Sequence, residues 1–196
     1  TINAGSGAIT LTNTGNDFTG AVGLTGGTTQ ITDTNALTLG TLSTGALTAI
    51  STGALTLGSG TVTGNLAATS NNGAISQTGA LIVTGSGTIN AGSGAITLTN
   101  TGNDFTGAVG LTGGTTQITD TNALTLGTLS TGALTVISHG ALNLGHGSVG
   151  GNLAATSNNG AISQTGALTI TGTSTLDAGT GVLTLANANN DFQGTV

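Results

Sequence analysis

The sequence predicts an all-β chain wound as a parallel β-helix, and three features predict it. An 87-residue unit recurs, an apolar beat of about 20 residues runs inside it, and the residue types favour extended chain over helix. TINAGSGAITLTNTGNDFTGAVGLTGGTTQITDTNALTLGTLSTGALT begins at Thr1 and returns at Thr88. A third copy starts at Thr175 as TLDAGTGVLTLANANNDFQGTV and stops at Val196. One repeat array therefore covers 1–196, with units 1–87 and 88–174 and a partial unit 175–196. The ends cut through a repeat, the chain starts with Thr, and no signal peptide is present, so a fragment of a longer, processed protein is expected.

The shorter beat follows the Ala-Leu and Ala-Ile pairs: Ala36-Leu37, Ala54-Leu55, Ala74-Ile75, Ala95-Ile96 and Ala123-Leu124. The steps between the Leu and Ile residues are 18, 20, 21 and 28, which together close the 87-residue period. A second apolar series, Leu42, Val62 and Leu81, trails the first by about five residues, and Leu47 and Leu66 begin a third. Each turn thus carries three short apolar clusters separated by Gly, Asn, Ser and Thr.

Ala-Leu-Thr-Leu alternates with period two, the pattern of a half-buried strand. Thr, Val and Ile suit a pleated surface, whereas a Gly every few residues costs a helix about 1 kcal/mol each. Three short strands per turn, each coil lying about 4.8 Å above the last, describe a β-helix with coils of about 19–21 residues. The Leu of each Ala-Leu-Thr-Leu is expected inside, in a column with its counterparts, with Thr outside and Gly at the corners. The 28-residue step predicts one longer, irregular coil per repeat, carrying Asn13–Gly20, Asn100–Gly107 and, in part, Asn187–Gly194. Phe18, Phe105 and Phe192, the only aromatics, are expected to plug the base of that excursion.

Composition narrows the function classes. The chain has 37 Gly, a net charge of −6 from six Asp, and no Lys or Arg. An apolar fraction of 36% with so little charge excludes the disordered class, and Gly without a three-residue period or Pro excludes collagen. Without cations the chain cannot neutralise phosphates, so neither nucleic acid nor an anionic membrane surface is an expected partner. No apolar run approaches the roughly 18 residues of a membrane span.

No catalytic, cofactor-binding or metal residue is assigned. His139 and His146 stand where the first unit has Thr52 and Ser59, so the fold does not need them; they read as turn residues rather than as a metal pair. Asp17, Asp33, Asp104, Asp120, Asp177 and Asp191 are the only carboxylates, and Asp17, Asp33, Asp104 and Asp120 recur with the repeat as turn residues would, whereas an active site is built once. Gly26-Gly27 is followed by Thr-Thr-Gln, not by the calcium-binding nonapeptide, so weak calcium coordination is the most that is expected of any cofactor. Thr10-x-Thr12 and Thr97-x-Thr99 raise ice binding, which needs a continuous double ladder of Thr that the other coils do not supply.

The Ala-Leu-Thr-Leu-Gly turns, Asn-Asp-Phe-x-Gly-x-Val, and Gly-Ala-Ile-Ser-Gln-Thr-Gly-Ala-Leu resemble the repeat region of filamentous-haemagglutinin-type exoproteins, the adhesins of two-partner secretion systems. The resemblance runs over essentially the whole chain. It implies a right-handed parallel β-helix, exported from a bacterium, forming an elongated shaft at the cell surface. The expected function is structural and not enzymatic: a shaft whose partners are other copies or neighbouring repeats, associating laterally or end to end into fibres or matrix. The alternatives are a shaft that itself recognises glycans or host surfaces and, further off, an ice-binding face.

Overall fold

A computed structural model describes all residues, 1–196. It contains no helix. Short strands pair in parallel throughout, each with a strand about one coil before or after it in the chain, which is the pairing of a β-solenoid of about ten coils. The predicted fold class holds.

Each coil has three sides. The first carries Ile2–Asn3, Val22–Gly26, the end of Leu37–Thr44, Ser59–Val62, Leu81–Val83 and Asp104–Phe105. The second runs the whole length in ten strands, from Ile9–Leu11 to Asp191–Phe192. The third starts with the head of Leu37–Thr44 and ends with Ser174–Asp177. Registers set the coil length at 18 residues between Leu24 and Leu42 and at 22 between Ile82 and Asp104.

The interior is aliphatic and columnar. On the third side Leu37, Leu55, Ile75 and Ile96 stack in register, all buried, while Thr38, Thr56, Ser76 and Thr97 stack outside them. Period-two alternation therefore becomes inside and outside of a single wall. A buried Thr116 continues the Leu column, with its hydroxyl satisfied by donating to the Gly114 carbonyl at 3.1 Å. Phe105 is fully buried and stacks on Val83, so this ring is part of the wall's own core column rather than a plug at the foot of an excursion.

The 28-residue step resolves differently from the simplest reading. From Ile96 the third side continues to Thr116 in an ordinary 20-residue coil; Leu124 lies one side further on, in a column with Leu142 and Ile162. The longest coils are 22 residues, at the Asn-Asp-Phe segments. Ile2 lies on the first side and its counterpart Ile89 on the second; Ile9 lies on the second and Ile96 on the third. One 87-residue unit is thus four coils and one side. At a coil spacing of about 4.8 Å, each unit rises about 21 Å and turns its features by a third of a revolution.

Glycine is required where coils touch at corners. Gly60 has φ +127°, and a Cβ there would lie 2.2 Å from the Leu42 carbonyl oxygen; Gly147 repeats this with φ +123° over Leu129. No L side chain fits both the dihedral and the space.

Two outcomes follow from this packing. Leu55→Ala should cost about 2–5 kcal/mol in chemical denaturation, and Thr38→Ala less than about 0.5 kcal/mol. Excising Gly26–Ser43, one 18-residue coil, joins Thr25 to Thr44, which already sits directly over Gly26, so the remaining columns keep register. The shortened chain should give the same far-ultraviolet circular dichroism per residue and a single, lower melting transition; loss of β signal would refute the register.

Candidate functional site

The surface is mostly plain wall, and one concavity interrupts it. It lies outside the third side, where the Asn100–Gly107 segment stands over the next two coils. Thr99 and Thr101 form one bank, and Gln117, Thr119, Thr135, Ile137 and His139 complete a groove of about 430 Å³ over Ile118. The strand pairings explain the grouping: Gln117 faces Thr135 and Thr119 faces Ile137 across adjacent coils. Every lining residue but His139 has an identical counterpart in the first unit: Thr12, Thr14, Gln30, Ile31, Thr32, Thr48 and Ile50.

The bank is anchored by a buried amide knot. Asn103 is 0% exposed, and every polar atom of its side chain is used. Its Nδ2 donates to the carbonyls of Leu98 at 3.1 Å and Thr119 at 3.2 Å and to Gln77 Oε1 at 2.9 Å; its Oδ1 accepts from Leu81 N at 3.0 Å and Gln77 Nε2 at 2.7 Å. Three coils are tied by one side chain. The third unit repeats the knot with Gln164 and Asn190, whereas Asn16 in the first coil reaches only the Leu11 and Thr32 carbonyls.

Below the groove, Asp120 is buried. Its Oδ2 accepts from Phe105 N and its Oδ1 from Asn122 N, both at 2.7 Å; Asp33 makes the same pair with Phe18 and Asn35. These carboxylates bond locally in a turn, and they also bond to the coil beneath. Burial pushes the Asp120 carboxyl above its ordinary 3.8 and the Asp104 charge adds to this, while the two N–H bonds and His139 pull the other way without cancelling it. His139 Nδ1 lies 3.0 Å from the Asp120 carbonyl oxygen. A carbonyl only accepts, so Nδ1 carries the proton in this contact.

The other candidates stay apart. His139 follows the third side, while His146 lies on the second, with Nε2 3.2 Å from Thr128 Oγ1, so the two imidazoles have different neighbours. Nowhere do three or more His or Asp side chains gather. Asp177 Oδ1 accepts from Gly179 N at 2.9 Å, and Asp191 Oδ2 from Gln193 Nε2 at 2.9 Å. Thr10-x-Thr12 lies on the second side and Thr97-x-Thr99 on the third, because each unit turns by one side; the two pairs cannot form one ladder. The groove and the Gln77–Asn103 pair are not apparent from local spacing, since the partners are 26 residues apart, longer than any coil.

The raised carboxyl gives a signed pH effect. Asp120 holds its proton more tightly folded than unfolded, so its contribution to stability grows as pH falls through the folded pKa toward 3.8 and is smallest above that window. Relative to Asp120→Asn, the wild-type chain should gain unfolding free energy between neutral pH and pH about 4. A relative loss on acidification would contradict the burial argument.

A family model matches residues 1–25, 44–112 and 131–196, well over half of the chain. The stretches between, 26–43 and 113–130, are each the length of one 18-residue coil, such as Leu24 to Leu42. No curated protein and no solved structure matches the chain. With most of its length matched, including most of each full unit, the chain belongs to the family described as Repeats of unknown function (DUF5649).

Proposed function

We propose that this chain is a length of structural shaft from a secreted or cell-surface bacterial protein, which associates with copies of itself into fibres or matrix and catalyses nothing. The observation that carries the reading is the surface. About ten coils stack with an aliphatic interior, and the outer rows are mostly Thr, Ser, Asn and Gly. Only Asp17, Asp104, Asp177 and Asp191 place a carboxylate at or near solvent, because Asp33 and Asp120 are buried. Such a wall hydrates through hydroxyls and amides, and long stretches of it carry no charge that would repel a second copy. Absence of Lys and Arg removes every trypsin site, which suits a molecule exposed outside the cell. Export and the surface location are supported by the motif resemblance to haemagglutinin-type exoproteins.

A second reading rests on the groove beside Ile137. Its hydroxyls, one amide, one imidazole and aliphatic floor include no carboxylate, ammonium or guanidinium, a lining suited to a neutral glycan.

Sedimentation velocity and electron microscopy of the 196-residue chain, set beside a glycan array, separate the two readings. The shaft reading expects mass growing with concentration, elongated assemblies and no glycan selectivity. Monomers at every concentration, together with glycan binding abolished by Ile137→Asp, would transfer the function to the groove.

A further inference from the structure

The three sides of the shaft are not equivalent as surfaces. The first is interrupted: its ladder ends at Asp104–Phe105, where the Asp104 carboxylate points out beside Ile82, and the strands that resume at Leu124 bond only to each other and to later coils. The third carries the groove and ends on an outward Asp177. The second alone is hydrogen-bonded from one end to the other, ten strands in one ladder.

The outside of this second side is free of charge nearly throughout. One row runs in register from Thr32 through Ile50, Thr69, Asn90, Thr112 and Ser130, and no carboxylate enters it until Asp191 on the last strand. The parallel row holds Thr10, Gln30, Thr48, Ala67 and Thr88, and further along His146, the one residue on this side that can become cationic. Ile50 is among the few large apolar side chains that stay open to solvent, at 39% exposure. Nine coil spacings of about 4.8 Å and a five-residue strand width of about 16 Å make a face of about 700 Å². That is close to the roughly 800 Å² that each partner contributes to a stable interface of standard size.

We propose that the second side is the self-association surface of the shaft, and that its occupant is the same side of a second copy. This rests on the self-associating reading above and names the face that performs it. Two identical faces whose one carboxylate, Asp191, stands at the last strand meet with little repulsion, and short hydroxyl and amide side chains let the walls approach closely. Association of one face with its own copy is isologous, so a two-fold axis relates the partners. With the two ladders overlapped over their full length, such an axis, whether along the shaft or across it, puts the middle of the ladder opposite itself at the same height. Asn90 and Thr112, paired on the fifth and sixth of the ten strands, mark that middle. Because every 87-residue unit turns by one side, the rows that continue this face are supplied by different parts of successive units: the Thr88–Asn90 strand corresponds to residues 1–3, which lie on the first side. The face is a property of the ladder rather than of one recurring motif.

The chain has no cysteine, so single-cysteine variants report cleanly. Thr112→Cys should form a disulfide-linked dimer under mild oxidation, whereas Thr61→Cys, at the middle of the first side, should not. In sedimentation velocity, Ile50→Asp combined with Thr112→Asp should raise the dimer dissociation constant at least tenfold, and Ile82→Asp on the first side should leave it unchanged; circular dichroism verifies that each variant is folded. Association unaffected by the second-side carboxylates, with cross-linking through Thr61→Cys, would overturn the face while leaving the self-associating shaft standing. A chain that stays monomeric at millimolar concentration would overturn both.

Discussion

Everything in this molecule depends on one constraint: a coil can bury its apolar face and satisfy its backbone only against another coil. Leu55 has no partner within its own turn that could cover it; Leu37 below and Ile75 above do so, and the same two coils take up the backbone N–H and C=O groups of its strand. Hydrophobic burial and hydrogen bonding thus act along one axis and between the same pairs of neighbours. The stability of such an array is a sum of nearest-neighbour interfaces, and its tolerance to change is measured in whole coils.

That constraint explains which residues are free to vary between the two full units. Ala49 becomes Val136 and Val83 becomes Ile170, buried positions at which only aliphatic volume changes. Outside, Thr56 becomes Asn143, Thr63 becomes Gly150 and Ile82 becomes Thr169, with no effect on register. At corners the choice is narrower, because the carbonyl of one coil lies where the side chain of the next would begin; Gly60 and Gly147 are fixed by Leu42 and Leu129 in this way.

Buried hydroxyls such as Thr116 and Ser51 occur in ordinary coils, whereas the buried amide and carboxylates, Asn103, Asp33 and Asp120, enter the interior beside the lengthened ones. Where a coil lengthens to 22 residues at Asn-Asp-Phe, backbone groups lose their regular partners, and Asn103 and Asp120 replace them. A buried amide left half-satisfied would be worse than an apolar residue, and Asn103 meets the condition by pairing with Gln77. The same lengthened coil raises the bank of the groove. Surface relief and buried polarity are two consequences of one local insertion.

The sequence by itself determined the solenoid, its period and the direction in which Leu and Thr point, because alternation and repetition are local properties of the chain. It also identified the Asn-Asp-Phe segments as the irregular ones. It did not determine which columns the residues join. Thirteen sides per unit and twelve look alike when counted by Ala-Leu pairs, since Ala123-Leu124 has the same composition whether it sits over Ile96 or one side further round. Only stacking decides this, because Thr116 fills the place over Ile96 and sends Leu124 on to Leu142. From that single shift come the separation of the two Thr-x-Thr pairs and the one uninterrupted face. Each is a relation between coils, and residues a coil apart carry no mark of one another until the wall is built.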